Sequence, residues 1–518
     1  MERNRSHGKP TLQLGRLDLS SLRDFDSSNP IVEIGDVARE SIERGRAVID
    51  ARIAAGTRTY GVNTGFGSMA GHTIDVDDLA KLQHRLVVSN AAGTGPLMRD
   101  RDVCRMMLLK LNALATGQSG VRPALCDALL AMLNAGIAPA VPLKGSVGAS
   151  GDLAPLAHMG AALIGVGEAR IDGEMLPAAE ALARCGLKPF VLAAKEGLAL
   201  VNGTQASTAL AVAGLFAAED VFAAGVVAGS LSLEAALGQD MAFDDRLHRA
   251  RGQSGQRVVA GAYRGFLEGS GIRAVALAKG RLQDPYCLRC QPQVMGACLD
   301  VIRHVAAILS AEINAWTDNP MVDLDTGDIL YGGNFHAEPV ALAADTLALA
   351  IAEIGSMSER RTAMLTDANH SMLPAFLVKE TGLDSGFMVA HVTAAALASE
   401  NKSLAHPASV DSIPTTANHE DFVSMATFAA RRLEELADNA AAIVAIELLA
   451  AAQGIEFRRP VRSSAKLEEI LAAIRNKVPA YDEDRFFAPD IAALKTMVRE
   501  GFFYDYLPSG LRVSEVVS

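Results

Sequence analysis

The sequence predicts a mainly α-helical protein organised around a central bundle of long helices, with small β-hairpins as additions. Half of its 518 residues are hydrophobic but only 5% are aromatic. That balance, rich in Ala and Leu, suits close-packed helices and not sheets, which draw on aromatic and β-branched residues. From about residue 205 to 455 the chain carries long Ala-rich stretches with helical spacing. Helices apolar on more than one face must be enclosed, so these form an interior, and so many of them imply subunits that complete one another's core.

Taken in order, residues 32–55, 76–91 and 103–117 carry helical spacing, the last opening near Asp100 and Asp102, whose charges suit a first turn. Between the first two lies the glycine-rich run from Tyr60 to Gly67. It lacks both a Gly-Lys-Ser/Thr ending and G-x-G-x-x-G spacing, so phosphate cradling is not expected. Asp172-Gly173 between short apolar runs predicts a hairpin, and residues 322–330 predict another. The most apolar stretch, 206–237, is interrupted by Glu219 and Asp220 and lacks the ~18 uninterrupted apolar residues of a membrane span. It reads as a buried helix pair. Asp318-Asn319-Pro320 and His406-Pro407 punctuate the helical region, and the more charged tail predicts a peripheral helical layer. The chain thus divides into an N-terminal helical domain (1–204), the bundle (205–455) and C-terminal helices (456–518).

A net charge of −12 gives no basic footprint for nucleic acid and no cationic membrane face. The one basic cluster, Arg458-Arg459-Pro460-Val461-Arg462, reads as a solvated or interface segment. No apolar run follows the charged start Met1 to His7, so a secretory signal is not expected and the reading is cytoplasmic. Six cysteines in so long a chain fit a reducing compartment. Cys287 and Cys290 form Cys-x-x-Cys without a second pair, so no metal is expected, and no nucleotide either.

The chemistry centres on Gly148-Ala149-Ser150-Gly151-Asp152-Leu153-Ala154-Pro155-Leu156-Ala157-His158. The nitrogen of Gly151 can attack the carbonyl carbon of Ala149 and close a five-membered ring. Loss of water from the adduct, and of a second from Ser150, leaves an exocyclic methylene conjugated to an imidazolone. Small residues are needed for this, since Gly151 is an unhindered nucleophile and Ala149 leaves its carbonyl uncrowded. A nucleophile elbow is the competing serine motif, but it requires G-x-S-x-G and this run has Asp152 in the last place.

This run resembles the signature of the ammonia-lyases that carry a methylidene-imidazolone cofactor, whose bundle is of the fumarase and ammonia-lyase type. The resemblance covers nearly the whole chain and implies a homotetramer with active sites built from more than one subunit, a small amino acid substrate, and a cofactor formed from Ala149, Ser150 and Gly151. It implies that Tyr60 removes the β-proton and that Asn202 lies near the cofactor and the substrate amine. Arg289 would hold the carboxylate in bidentate fashion, with Tyr286 a second active-site phenol and Gln283 nearby. Phe335 would lie beside the cofactor.

Substrate choice in this family is carried by two segments. Ser89, Met388 and Glu420 match the histidine-specific pattern, and a carboxylate at 420 can pair with an imidazole. Asn90, His419 and Phe422 depart from it. The resemblance therefore implies elimination of ammonia from histidine, or from a ring-modified or N-methylated histidine, to give the unsaturated acid. An enzyme expelling trimethylamine from ergothioneine is an alternative, although a quaternary nitrogen has no lone pair with which to attack a methylene. Phenylalanine or tyrosine lyases and aminomutases share the cofactor and remain alternatives. The serine-loop signature of fumarase-type lyases is not found, and a non-catalytic scaffold gives no reason for these residues to coincide.

Overall fold

The structure, a computed structural model, describes residues 11–28 and 30–516. The start from Met1 to His7, which bears on secretion, lies outside them. Long helices Gln205–Ala235, Gln291–Glu312, Glu338–Thr366, Met388–Leu404 and Leu433–Glu456 make the bundle. The first packs on the last and on Glu338–Thr366, which lies in turn on Gln291–Glu312. Small side chains allow close approach, and every residue of Gln205–Ala235 except Ala213 is buried. The expected helix pair is one continuous helix. Glu219 and Asp220 do not break it, because Arg23 reaches both, at 2.7 and 3.1 Å.

Among the described residues three helices are long and apolar enough to cross a membrane by composition alone, but 94% of the apolar window of Gln205–Ala235 is inside the protein, against 61% for Glu338–Thr366 and 44% for Gln291–Glu312. The first is enclosed by its own chain. Glu338–Thr366 leaves Leu342 and Leu349 exposed.

A buried ion pair ties three of the long helices together. Arg361 Nη2 meets Glu447 Oε2 at 2.7 Å, and Glu447 Oε1 also accepts from Ser232 Oγ at 2.6 Å. Both charged side chains are fully buried, so truncating one strands the other without solvent. Glu447→Ala should lower the unfolding free energy by about 3–5 kcal/mol in chemical denaturation; a loss below about 1 kcal/mol would show that the pair contributes little.

The N-terminal helices begin where other structure permits. Ile31–Glu33 pairs in parallel with Thr11–Gln13, so the helix expected from residue 32 runs instead over Asp36–Ala54; the β-branched Ile31 and Val32 go to the ladder. A 3-10 turn at Val76–Asp78 precedes the helix Leu79–Asn90, and the next covers Asp100–Leu114. Asp172 and Gly173 have φ of 50° and 81°, joining Glu168–Ile171 to Glu174–Pro177 as a tight antiparallel hairpin. Met321–Val322 and Ile329–Leu330 form the second hairpin.

A large hydrophobic cluster extends from Leu14 to Val513 through the bundle and most of the N-terminal helices, and a smaller one gathers Ile49, Val62, Leu79, Ala194 and Val322 beneath the second hairpin. Ala488–Arg499 packs on the outside of Leu433–Glu456. The basic segment is not simply solvated: Arg458 turns inward, donating to Ala235 O at 2.8 Å and Ser371 O at 3.1 Å. The first of these carbonyls ends the long central helix, where unpaired acceptors favour a cation.

Candidate active site

A cleft of about 1390 Å³ opens where the Tyr60 loop, the helix Leu79–Asn90 and the turn before Leu153–Leu163 meet segments from later in the chain. It brings together Tyr60, Ser89, Asn90, Ala149, Ser150, Asn202, Phe335, His419 and Glu420.

The tripeptide is held by its neighbours on both sides. Gly151, at φ +74°, bridges to Gly203, and a Cβ on it would fall 2.1 Å from Gly203 O. Only glycine fits both that conformation and that contact. The next residue, Asp152, is fully buried and accepts from Ser207 N, Ser207 Oγ, Thr427 Oγ1 and Ser146 Oγ at 2.6, 2.8, 2.6 and 3.0 Å. These bonds fasten the turn to the start of the long helix. The cyclised cofactor fits here: the attacking nitrogen belongs to a residue with no room for a side chain, while Ala149 and Ser150 face the cleft.

Ser150 Oγ donates to Glu420 Oε1. The other carboxylate oxygen accepts from Thr415 Oγ1 and Thr416 Oγ1, both at 2.9 Å. Thr416, Ala417 and Asn418 all have left-handed φ, from 51° to 64°. Consecutive non-glycine residues hold that conformation only when surrounding bonds over-determine it, and here it delivers Glu420 to the cleft.

Tyr60 OH accepts from Gly67 N at 3.1 Å, closing its loop. Buried Gln83 ties that loop to the helix Glu196–Val201, donating to Gly61 O at 3.2 Å and accepting from Leu198 N at 3.0 Å. Asn202 ends that helix. Beneath it Lys110 donates to Asn202 O at 2.5 Å and Ala199 O at 3.1 Å. Burial pushes this ammonium down to about 7, against the opposing pull of Asp318. Asn90 Nδ2 donates to Leu86 O at 2.8 Å, so its amide is partly committed to its own helix. Half-buried His158 accepts from Gly93 N at 3.1 Å through Nε2, and burial lowers its pKa.

The remaining expected residues do not meet these within one chain. Gln283 is exposed, Tyr286 is 69% and Met388 41% exposed, and none of the three lines the cleft. Arg289 is also outside it, its guanidinium 4.6 Å over the Tyr286 ring and its Nε without a hydrogen-bond partner. Among the described residues no cluster of three or more His, Cys, Asp or Glu could hold a metal ion.

Several lining residues were not assigned a role from sequence: His84, Arg85, Asn319, Tyr331 and His336. Tyr331 stands edge-on to Tyr60 at 6.5 Å. His336 stacks on Phe422 at 6.0 Å, and its Nε2 lies 3.2 Å from Phe422 O. Helical phase could have found Arg85, since Leu82, Arg85, Leu86 and Ser89 form one stripe facing the cleft.

A phenol, a carboxylate and the Ala149-Ser150-Gly151 turn thus share one cleft on a long-helix bundle. The profile of the aromatic amino acid lyases matches residues 17–476, and the chain belongs to that family. It is 58% identical to a histidine ammonia-lyase of Aromatoleum aromaticum, covering 96% of this chain and 94% of that one. A histidine ammonia-lyase structure from Trypanosoma cruzi superposes with a TM-score of 0.91 at 38% identity, covering 98% of both chains. An ergothionase from Treponema denticola superposes with a TM-score of 0.90 at 29% identity, covering 95% of this chain and 99% of that one. Fold alone does not discriminate among these substrates.

Proposed function

We propose that this protein is a histidine ammonia-lyase, converting L-histidine to urocanate and ammonia in a cleft whose electrophile forms from Ala149, Ser150 and Gly151. The observation that carries the proposal is Glu420, fixed by two threonines and bonded to Ser150. It sets a carboxylate suited to an imidazole beside the reacting turn. Identity with histidine-specific relatives supports the same substrate.

The methylidene-imidazolone supplies an electrophile that makes the substrate amine a good leaving group. The chain's own side chains do the rest. Tyr60, its oxygen fixed by Gly67 N, takes the β-proton; Glu420 holds the ring; Asn202 meets the amine. Arg289 and Tyr286 of one subunit bind the carboxylate in the cleft of another, with Gln283 and Met388 beside them. The single-chain cleft exceeds the ~300–1,000 Å³ usual for small-molecule sites, which favours closure by neighbouring subunits. The assembly is a cytoplasmic homotetramer with no nucleic-acid or membrane partner.

Asn90 and Phe422, both in the cleft, favour a ring-modified histidine as the second reading. A panel of histidine, methylated histidines, ergothioneine, phenylalanine and tyrosine decides, read by near-ultraviolet absorbance and by release of ammonia or trimethylamine. Histidine should turn over fastest, and Asn90→His should raise its turnover. Preference for phenylalanine or tyrosine over every imidazole overturns the assignment; trimethylamine from ergothioneine with histidine inert replaces it.

A further inference from the structure

Behind Asn202 lies a group of buried charges with no part in the roles above. The carboxamide is gripped from its far side: Nδ2 donates to Asp318 Oδ1 at 3.0 Å and to Asn319 O at 3.3 Å. Both amide hydrogens are thereby engaged, which leaves Oδ1 as the group offered to a donor. Asp318 divides its own oxygens. Oδ1 takes Asn202 and the Asn319 backbone N–H at 2.7 Å, while Oδ2 takes the Lys195 ammonium at 2.5 Å. The Lys195 side chain is fully buried and that of Asp318 is 6% exposed.

Removing such a pair from water carries a desolvation penalty that a neutral pair avoids. A carboxylate nevertheless has one property that an amide lacks. It accepts through both oxygens and donates through neither. Facing Asn202, it tolerates only the amide orientation that turns NH₂ inward and oxygen outward. Lys195 occupies the second oxygen and holds the carboxylate ionised in place.

We propose that Lys195 and Asp318 are positioning residues of the lyase reaction, locking the Asn202 carboxamide so that its oxygen, and not its NH₂, meets the substrate amine. This rests on the amine-binding role of Asn202 given above. The reversed amide would offer N–H groups to the lone pair the amine needs as a nucleophile, and would leave the amine hydrogens without their acceptor.

Asp318→Asn tests this directly. The new side chain has one acceptor for the donors on its two sides; with that oxygen on the Lys195 ammonium, its NH₂ opposes both Asn202 Nδ2 and the Asn319 N–H, and the inward-NH₂ orientation of Asn202 keeps only the Asn319 carbonyl. kcat/KM should fall roughly ten- to a hundredfold, with intact mass showing the cofactor still formed. Adding Lys195→Gln frees the oxygen of the introduced amide for Asn202, since the glutamine carbonyl accepts from its NH₂. This paired variant should return to within about fivefold of wild type. In an Asn202→Ala background Asp318→Asn should change kcat/KM by less than about twofold.

An equal loss from Asp318→Asn with and without the Asn202 carboxamide overturns the proposal, as does a paired variant no better than the single one. If Asp318→Asn does not assemble, Lys195→Gln read with and without the Asn202 carboxamide replaces it: a loss in kcat/KM confined to the protein that keeps Asn202 upholds the lock, and an equal loss in both rejects it. All ratios are taken on the amino acid that wild type deaminates. A wild type that deaminates no aromatic amino acid is a failure of the proposed function, separate from these ratios.

Discussion

Ser150→Ala is expected to leave a folded protein without lyase activity. The side-chain oxygen of Ser150 is the atom lost in the second dehydration, so alanine cannot yield the exocyclic methylene. The surroundings should tolerate the change, because Asp152 and the Gly151–Gly203 bridge fasten the turn and the Ser150 side chain adds only its bond to Glu420, itself held by two threonines. Intact mass should show wild type lighter than its sequence by two waters, and the variant should lack the Ser150-dependent loss. Turnover should fall on the order of a thousandfold or more, equivalent to at least about 4 kcal/mol of barrier lowering. An active wild type at its full sequence mass would rule out the cofactor.

Mixing two inactive variants should restore activity. Tyr60→Phe removes the proposed base from the cleft, and Arg289→Ala removes the proposed carboxylate clamp, which lies outside that cleft within one chain. If each site takes Tyr60 from one subunit and Arg289 from another, dissociating and reassembling a mixture creates some sites with both residues intact. Each variant alone should be down at least about tenfold to a hundredfold, the loss expected for a charged hydrogen bond at the arginine. The mixture should exceed the sum of its parts. No gain on mixing, or a fully active monomer by light scattering, would place the complete site within a single subunit. Leu342 and Leu349, exposed on a central helix, are a surface that a partner subunit would cover if mixing restores activity.

Local chemistry was written in the sequence. The Ala-Ser-Gly turn, the Asp-Gly hairpin at Asp172-Gly173 and the Ala-rich central helices follow from short-range sterics and periodicity, which act over a few residues. The resemblance to the family, and not periodicity, put Tyr60, Asn202, Phe335 and Glu420 into one expected site, and these do share one cleft. Other features depended on partners far along the chain. Glu219 and Asp220 read as an interruption of a helix until Arg23 was found opposite them, nearly two hundred residues away. Val32 opens a stretch with helical spacing, yet it and Ile31 pair with a strand at Thr11–Gln13. Asp318-Asn319-Pro320 is punctuation by local rules, but folding brings Asp318 and Asn319 beneath Asn202, where they grip its amide. Periodicity reports which face of an element is apolar; only the folded chain decides which distant charge, carbonyl or amide comes to lie against it, because those pairings are chosen by packing of the whole core.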